Sequence, residues 1–567
     1  MKKIEPTAII LSSRYIFLFL FAMLITACND KLDDSIKEDP YKGGKEALGI
    51  QLQQESPSPD SAYPSDEVVF QATGLLKYCD PATGKYDFKF FISDEDTEIV
   101  NVTESTITVR VPQSVSTGIT YVELQGQIFY GPKLTILGNV TLDRAYKLWN
   151  TNQVNDVIYN YLESYELKNN YYLLGEFSYV GATNNDANKR GLLALVDGQG
   201  SVAPKNSARY MLNAGASGTV ETADGYTTFS KLTSMSYFNN NHQVLLSGHF
   251  GGFESLGNIF NILTLESNLT PLKDEVQLPS RLTGEVKKVA VPHFNGGTIE
   301  PVVRSFPTAD DKVLAIGNFT QYCRNDYANS YQERIAVVYQ KIGQVIRMNM
   351  AGELDENYRT GKSGLAADGT INDAIMDNDG NVIIVGKFTS FDGVPVSNLV
   401  KINTVSGEID ETFLSNLEGG VNGEIQMIRY NKKLNKMMLI GSFTEVDGKS
   451  CDGIAMLNGD GTLEESFSTR AIEGGRINFA TILDSEKVVI SGTFSKYDGV
   501  NRPGFLILNM DGRAIQDFNV PGELSGQIYQ TVETYSTSGF KGLLLLGNIY
   551  RFNGEMAKNA VMLEIDF

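Results

Sequence analysis

The chain has 567 residues, a formal net charge of −20 at pH 7, 42% hydrophobic residues, 54 glycines, 3 histidines and 4 cysteines. That length accommodates two or three domains with a large core. The acidic balance, with no basic stripe, excludes nucleic acid as a partner, since phosphate binding needs clustered Lys and Arg.

The N-terminus reads MKKIEPTAIILSSRYIFLFLFAMLITAC, with basic residues first, an apolar run from Tyr15 to Ile25 and small residues before Cys28. A run this short is an export signal rather than a membrane span. Residues 1–27 are therefore expected to be a signal peptide. The tetrapeptide Ile25-Thr26-Ala27-Cys28 resembles a bacterial lipobox, which implies a lipid on Cys28; the alternative is an ordinary secretory peptide with an incidental cysteine. Residues 28–46 (CNDKLDDSIKEDPYKGGKE) are polar and charged without apolar periodicity, the pattern of a disordered tether. An acidic stretch directly after such a cysteine resembles the signal that directs Bacteroidetes lipoproteins to the cell exterior, which implies an outer-membrane address.

Between residues 47 and 138 short strands are predicted at Glu67–Ala72, Lys85–Ile92, Thr106–Val111, Gly118–Leu124 and Lys133–Ile136. Their spacing of roughly ten residues suggests a sandwich of immunoglobulin type. The run STITVRVP (105–112), followed by Ser116-Thr117-Gly118 and Tyr121-Val122-Glu123-Leu124, resembles the middle of an IPT/TIG domain, and such modules space or dock other domains.

From residue 139 to 567 one pattern keeps returning. An apolar run ends in Gly-x-aromatic at Gly175, Gly248, Gly317, Gly386, Gly441 and Gly492, with a degenerate seventh at Gly547. The intervals are 73, 69, 69, 55, 51 and 55 residues, and the excess in the early ones lies in polar segments such as 181–191 and 321–334. Runs of four to eight Val, Ile, Leu and Phe bounded by Gly, Asn and Asp read as strands, and Asp-Gly between them as tight turns. In the copy at 423–467 the strands are predicted at Glu424–Tyr430, Met437–Phe443, Gly453–Asn458 and a short fourth ending at Phe467. A lone four-stranded sheet cannot bury both faces, so units of this period pack into a ring. The last unit has three clear strands, Val532–Tyr535, Leu543–Tyr550 and Ala560–Ile565, so a strand from Asp143–Trp149 is expected to close it. The copies at 382–413, 437–467 and 488–518 resemble the delta-60 type repeat of bacterial secreted proteins, which implies a propeller and carries no agreed catalytic residues. The expected fold is all-β: an N-terminal immunoglobulin-like (IPT/TIG) sandwich followed by a seven-bladed β-propeller.

Candidate chemistry is sparse. His242, His249 and His293 are the only histidines, and His249 stands at a variable strand position. No HExxH, CxxC or GxSxG occurs, so no metal, cofactor or serine nucleophile is expected; Ser442, in MLIGSF, lies on a strand. Cys79, Cys323 and Cys451 fall in three different modules and read as free thiols. Asp392, Asp447 and Asp498 recur before Gly393, Gly448 and Gly499, a repetition that turn geometry explains better than a Ca²⁺ or acid/base role. Phe253, Tyr322, Phe391 and Tyr497 recur three residues after the Gly-x-Phe aromatic, with Val446 breaking the series. Rings so placed either stack on sugar faces at one rim or pack between units. The longer rim loops at 181–190, 251–258 and 321–333 offer Asn184, Asn325 and Tyr327 as further ligand or partner contacts, with Tyr179 just before the first.

These readings lead to a non-catalytic surface lipoprotein that binds a glycan, a peptide or a partner. The resemblance to Bacteroidetes lipoproteins implies an accessory role beside a SusC/SusD-like nutrient importer. A carbohydrate-active enzyme on a propeller and an adhesion or scaffold protein stay open. Replacing Cys28 by Ala is expected to move the protein from the membrane pellet to the soluble fraction, read by immunoblot after fractionation; retention in the pellet would refute the anchor.

Overall fold

Apolar runs too short for helices become strands almost throughout. The computed structural model describes residues 47–566 apart from 182, 184, 186, 206–214, 219–229, 239, 241 and 360–365; Cys28, the signal peptide, the tether and Asn184 lie outside the described residues. From Gln51 onward the chain packs as one unit.

Its first part is two facing sheets. One runs in the order Gln51–Leu52, Glu67–Thr73, Thr106–Arg110, Glu98–Val102; the other in the order Ser61–Ala62, Gln127–Ile136, Gly118–Leu124, Lys89–Ile92, Glu95–Asp96. The strand Glu67–Thr73 alternates strictly between exposed and buried, as a half-buried strand must. Phe70 from one sheet meets Phe90 from the other with ring centroids 4.9 Å apart. Two expected strands shift: Lys85–Ile92 begins at Lys89, and Lys133–Ile136 is the end of a ten-residue strand. Glu98–Val102 escapes prediction because only Val102 is fully buried, so no alternation marks it.

Seven antiparallel sheets follow, and the first six share one plan: three strands, two of them joined by a hairpin, the middle one ending at the Gly-x-aromatic glycine. In the fifth the strands are Ile425–Asn431, Lys436–Gly441 and Ile454–Asn458. The expected fourth strand is reduced to a single bridge between Leu457 and Leu463, after which the chain turns away and buries Phe467. Phe413 and Phe518 end the neighbouring copies in the same manner. The apolar clusters lie between successive sheets. Ile383, Val385 and Leu399 of the fourth sheet pack on Ile428, Met437 and Leu439 of the fifth, and Tyr171 and Leu173 of the first on Leu544 and Leu546 of the seventh. Each sheet touches the next, and the first touches the seventh. Burial of both faces is achieved only by neighbours, at about 1.5–3 kcal/mol per large side chain.

The seventh sheet has a true outer strand, supplied from the other end of the chain. Val140, Thr141 and Leu142 pair antiparallel with Ile565, Glu564 and Leu563. Closure thus uses a segment just before the expected Asp143–Trp149. Asp143 instead spends its carboxylate on a turn, accepting from Ala145 N at 3.0 Å and Thr537 N at 2.7 Å, and Lys147–Asn150 is a short helix.

The sandwich is seated on the sixth and seventh sheets. Thr117 N donates to Val520 O at 2.8 Å, Asn501 Nδ2 to Ser93 O at 2.9 Å and Asn501 N to Glu95 Oε1 at 2.9 Å. Ser93, Ser116, Thr117, Asn501 and Asn553 are buried there.

The recurring glycine has a steric cause. In every sheet it pairs with a buried aliphatic residue of the innermost strand: Ile158, Leu232, Val302, Ile371, Ile425, Ile477 and Ile528. At that point the register slips by one residue. A Cβ on Gly441 would overlap the Glu424 carbonyl oxygen, whereas Gly448, in the Asp-Gly turn at φ +74°, has open space around it. Gly441→Ala is expected to destabilise the protein by about 3 kcal/mol through forced backbone displacement, and Gly448→Ala by about 1 kcal/mol through the positive φ alone. Thermal unfolding of the two variants checks this; equal midpoints would contradict the close-approach explanation.

Candidate functional site

The one-residue slip at each glycine is a β-bulge, and it leaves one unpaired residue at the head of each inner strand: Tyr159, Thr233, Val303, Asn372, Gln426, Asn478 and Tyr529. The sheets being arranged in a cycle, these heads converge where the inner strands begin. Six of the seven, all but Asn478, line a cavity of about 240 Å³ at the mouth of the central channel.

Four charged side chains join them: Lys231, Arg304, Asp373 and Arg429. Asp373 is held between the two guanidiniums, 2.9 Å from Arg304 Nη2 and 2.8 Å from Arg429 Nη1, and its side chain is 5% exposed. Arg429 also donates from Nε and Nη2 to Tyr529 O, at 3.2 and 2.9 Å, and from Nη1 to Ile428 O. Full burial and the neighbouring Arg304 charge push its pKa down, while Asp373 opposes them. Arg304 donates from Nη1 to Thr233 O at 2.9 Å. One buried carboxylate shared by a buried and a half-buried arginine, with their bonds to Thr233 O and Tyr529 O, ties five inner strands to one another. Breaking such a cluster by removing its single anion costs about 3–5 kcal/mol.

Around this cluster stand two half-buried aromatic rings. Tyr159 and Tyr529 meet edge to face with centroids 5.1 Å apart. Tyr159 donates its hydroxyl to Glu176 Oε1 at 2.7 Å, and the Lys231 ammonium lies 5.8 Å from its ring centroid. Burial raises the pKa of both phenols, so both stay neutral donors at physiological pH. Asn372 donates to Glu424 Oε1 at 2.8 Å and to Ile425 O at 2.9 Å. The mouth therefore combines two exposed aromatic edges, amide groups and fixed positive charge.

A larger groove of about 620 Å³ runs along the outer edge of the fifth sheet beside Ile454 and Met456. One sheet and its following connection build it, in the slot where a fourth strand would lie, with cations (Lys449, Arg470) and anions (Asp452, Glu464) mixed. It gathers no convergent polar groups from different sheets, which is why the smaller channel mouth is the better candidate.

The residues singled out from sequence lie elsewhere. Phe253, Tyr322, Phe391 and Tyr497 are all buried between sheets and cannot stack on a ligand. Tyr322 donates its hydroxyl to Gly352 O at 2.8 Å and Tyr497 to Gly512 O, while Arg359 lies over the Phe391 ring at 5.4 Å. Asn325 is buried, bonding Asn258 O and Asn295 Oδ1, each at 3.0 Å. The segment 321–334 is not a loop: Gln321–Tyr331 pairs with Arg334–Lys341 in a long hairpin. Tyr327 lies within it, with burial pushing its phenol up to about 12. Tyr179 is half-buried, and its backbone N–H donates to Asn155 Oδ1 at 2.7 Å. Asn184 lies outside the described residues. The structure does not bring the seven described candidates together at one site.

Asp392, Asp447 and Asp498 have φ of 51°, 49° and 54°, followed by positive-φ glycines, which is the geometry of a type I′ hairpin turn. Their side chains serve the fold: Asp392 pairs with Arg359, and Asp447 accepts from Gly419 N at 2.9 Å. His249 is buried with its pKa pushed down by desolvation. Cys79, Cys323 and Cys451 are free thiols. Among the described residues no three His, Cys, Asp or Glu side chains gather as a metal site would require, and no helix is long and apolar enough to cross a membrane.

Comparison with known proteins gives three family matches. Residues 24–132 match the Domain of unknown function (DUF5008) and residues 136–239 the Domain of unknown function (DUF5124). Residues 378–413, 435–467 and 486–513 match the Domain of unknown function (DUF5122) beta-propeller. No curated protein matches the chain. Similar solved structures include an auxiliary nutrient binding protein from Bacteroides thetaiotaomicron, 9% identical, covering 92% of this chain and 99% of that chain at a TM-score of 0.30. Another auxiliary nutrient binding protein, from Bacteroides ovatus, is 9% identical, covering 91% and 98% at a TM-score of 0.29. YCF48 from Cyanidioschyzon merolae is 11% identical, covering 74% and 98% at a TM-score of 0.36. The fold is all-β, and its repeated part is a β-propeller.

Proposed function

We propose that this protein is a lipid-anchored, non-catalytic binding protein of the cell surface that takes a glycan or peptide ligand at the mouth of a seven-bladed propeller, beside a SusC/SusD-like importer. The blade count rests on the cycle of seven mutually packed sheets. The immunoglobulin-like reading of 47–138 rests on the order of its two sheets, and the outer-membrane address on the residues around Cys28.

The observation that carries the binding reading is the convergence of Tyr159, Tyr529, Asn372 and Gln426 from four different sheets into one cavity. Aromatic edges and faces accept the C–H surfaces of sugars and of peptide side chains, and the amides read hydroxyl or peptide groups. A binding role rather than hydrolysis is supported by Asp373, the sole carboxylate lining the cavity. Its oxygens are engaged by two guanidiniums and by the N–H groups of Ala374 and Ile428. Glycoside hydrolysis needs two carboxyls on opposite sides of the bond to be cut.

A second reading, contact with a protein partner, is favoured by the hairpins 273–292 and 321–341. They pack on each other, Gln332 N donating to Pro279 O at 3.0 Å, and expose Leu282 (85%), Val286 and Tyr339.

Calorimetric titration of the detergent-solubilised chain with oligosaccharide and peptide panels tests the first reading. Tyr529→Ala is expected to weaken the ligand found by about tenfold, from lost ring contact of about 1.4 kcal/mol. Undiminished affinity in both Tyr159→Ala and Tyr529→Ala would place the ligand elsewhere, and new reducing ends during the titration would make the protein a hydrolase.

A further inference from the structure

The charge at the channel mouth does not balance. Lys231, Arg304 and Arg429 line the cavity against one carboxylate, Asp373, in a chain whose net charge is −20. Glu176 and Glu424 lie outside the lining and accept from Tyr159 and Asn372. Arg429 is committed to the fold by its bonds to Tyr529 O, Ile428 O and Asp373. The other two cations are not. Arg304 binds Thr233 O and Val303 O through Nη1 and Asp373 through Nη2, but its Nε has no acceptor among the described residues. The Lys231 ammonium forms no ion pair or hydrogen bond among the described residues and stands beside the Tyr159 ring.

Taking a cation out of water without a counter-charge is costly, and a half-buried arginine with a spare donor beside an unpaired lysine lowers that cost by taking an anion. The guanidinium fork suits a carboxylate, and the ammonium adds a second donor. The groups next to these cations are aromatic rings and amides, which suit the apolar faces and hydroxyls of a sugar ring.

We propose that the mouth selects an acidic saccharide, its carboxylate bound by Lys231 and the Nε of Arg304 and its ring set against Tyr159 and Tyr529. This rests on the reading of the channel mouth as the binding site and narrows it to one ligand class. A long-range field of −20 repels anions, so the preference is local and short-ranged, and it weakens as salt screens it.

The test compares a galacturonic acid trisaccharide with its neutral galactose counterpart, titrated calorimetrically into the full chain in detergent. The uronate is expected to bind at least about tenfold more tightly, to lose about tenfold in Lys231→Met, and to weaken as salt rises from 50 to 500 mM. Arg304→Lys, which keeps a charge beside Asp373 but loses the Nε donor, is expected to lose part of the same preference. Equal affinity for the two sugars, or a uronate preference that survives Lys231→Met, overturns the acidic-ligand assignment and leaves the site in place. Binding of neither sugar overturns the assignment together with the site.

Discussion

The structure depends on one close approach, repeated in every sheet of the ring: a strand-end glycine lying against the carbonyl of the residue before its partner. Only a residue without Cβ lets the two backbones come so near, as Gly441 does over Glu424. The approach forces the inner strand to slip by one residue. That slip bends the strand toward the axis, so that seven twisted sheets can converge, and it turns one side chain per sheet out of the ladder. The same constraint therefore shapes the ring and supplies the lining of its mouth. Structure and site are two results of a single steric fact.

The second dependence is electrostatic. Asp373 on the fourth sheet bridges Arg304 on the third and Arg429 on the fifth, and Arg429 reaches across the axis to a carbonyl of the seventh. Two of these bonds join neighbouring sheets, and the one from Arg429 to Tyr529 O joins the fifth sheet to the seventh, which is not its neighbour. Buried ion pairs contribute little net stability, yet they are specific in direction. Here they give the mouth a fixed shape and a residual positive charge.

Much of this was legible in the residues. Runs such as MMLIG and VVISG, followed by Asp-Gly, announce hairpins, and their spacing announces a ring. The positive φ of Asp392, Asp447 and Asp498 is what an Asp-Gly pair is for. Aromatic recurrence left two readings open, stacking at a rim or packing between units, and the burial of the recurring rings agrees with packing. Phe253, Tyr322, Phe391 and Tyr497 recur because each fills the same gap between two sheets, and periodicity cannot tell a core position from a rim position when both repeat once per unit. Tyr159 and Tyr529 escaped notice because the lining residue differs from copy to copy: Tyr, Thr, Val, Asn, Gln. A signal did exist, in the position directly after the aliphatic residue that faces each glycine. It becomes visible only once the pairing register is known. The fourth strand was expected from a period of about fifty residues, but the closing Phe of each unit is drawn into the core and pulls its segment off the sheet edge after one bridge.

The clasp between Val140–Leu142 and Leu563–Ile565 joins segments more than four hundred positions apart. Synthesis runs from the N-terminus, so the early partner has nothing to pair with until the six intervening sheets have been made. The seventh sheet, and with it the shelf on which the sandwich sits, is completed last of all. Loss of Leu563–Ile565 alone would leave the circle sprung open while every other sheet had its sequence intact.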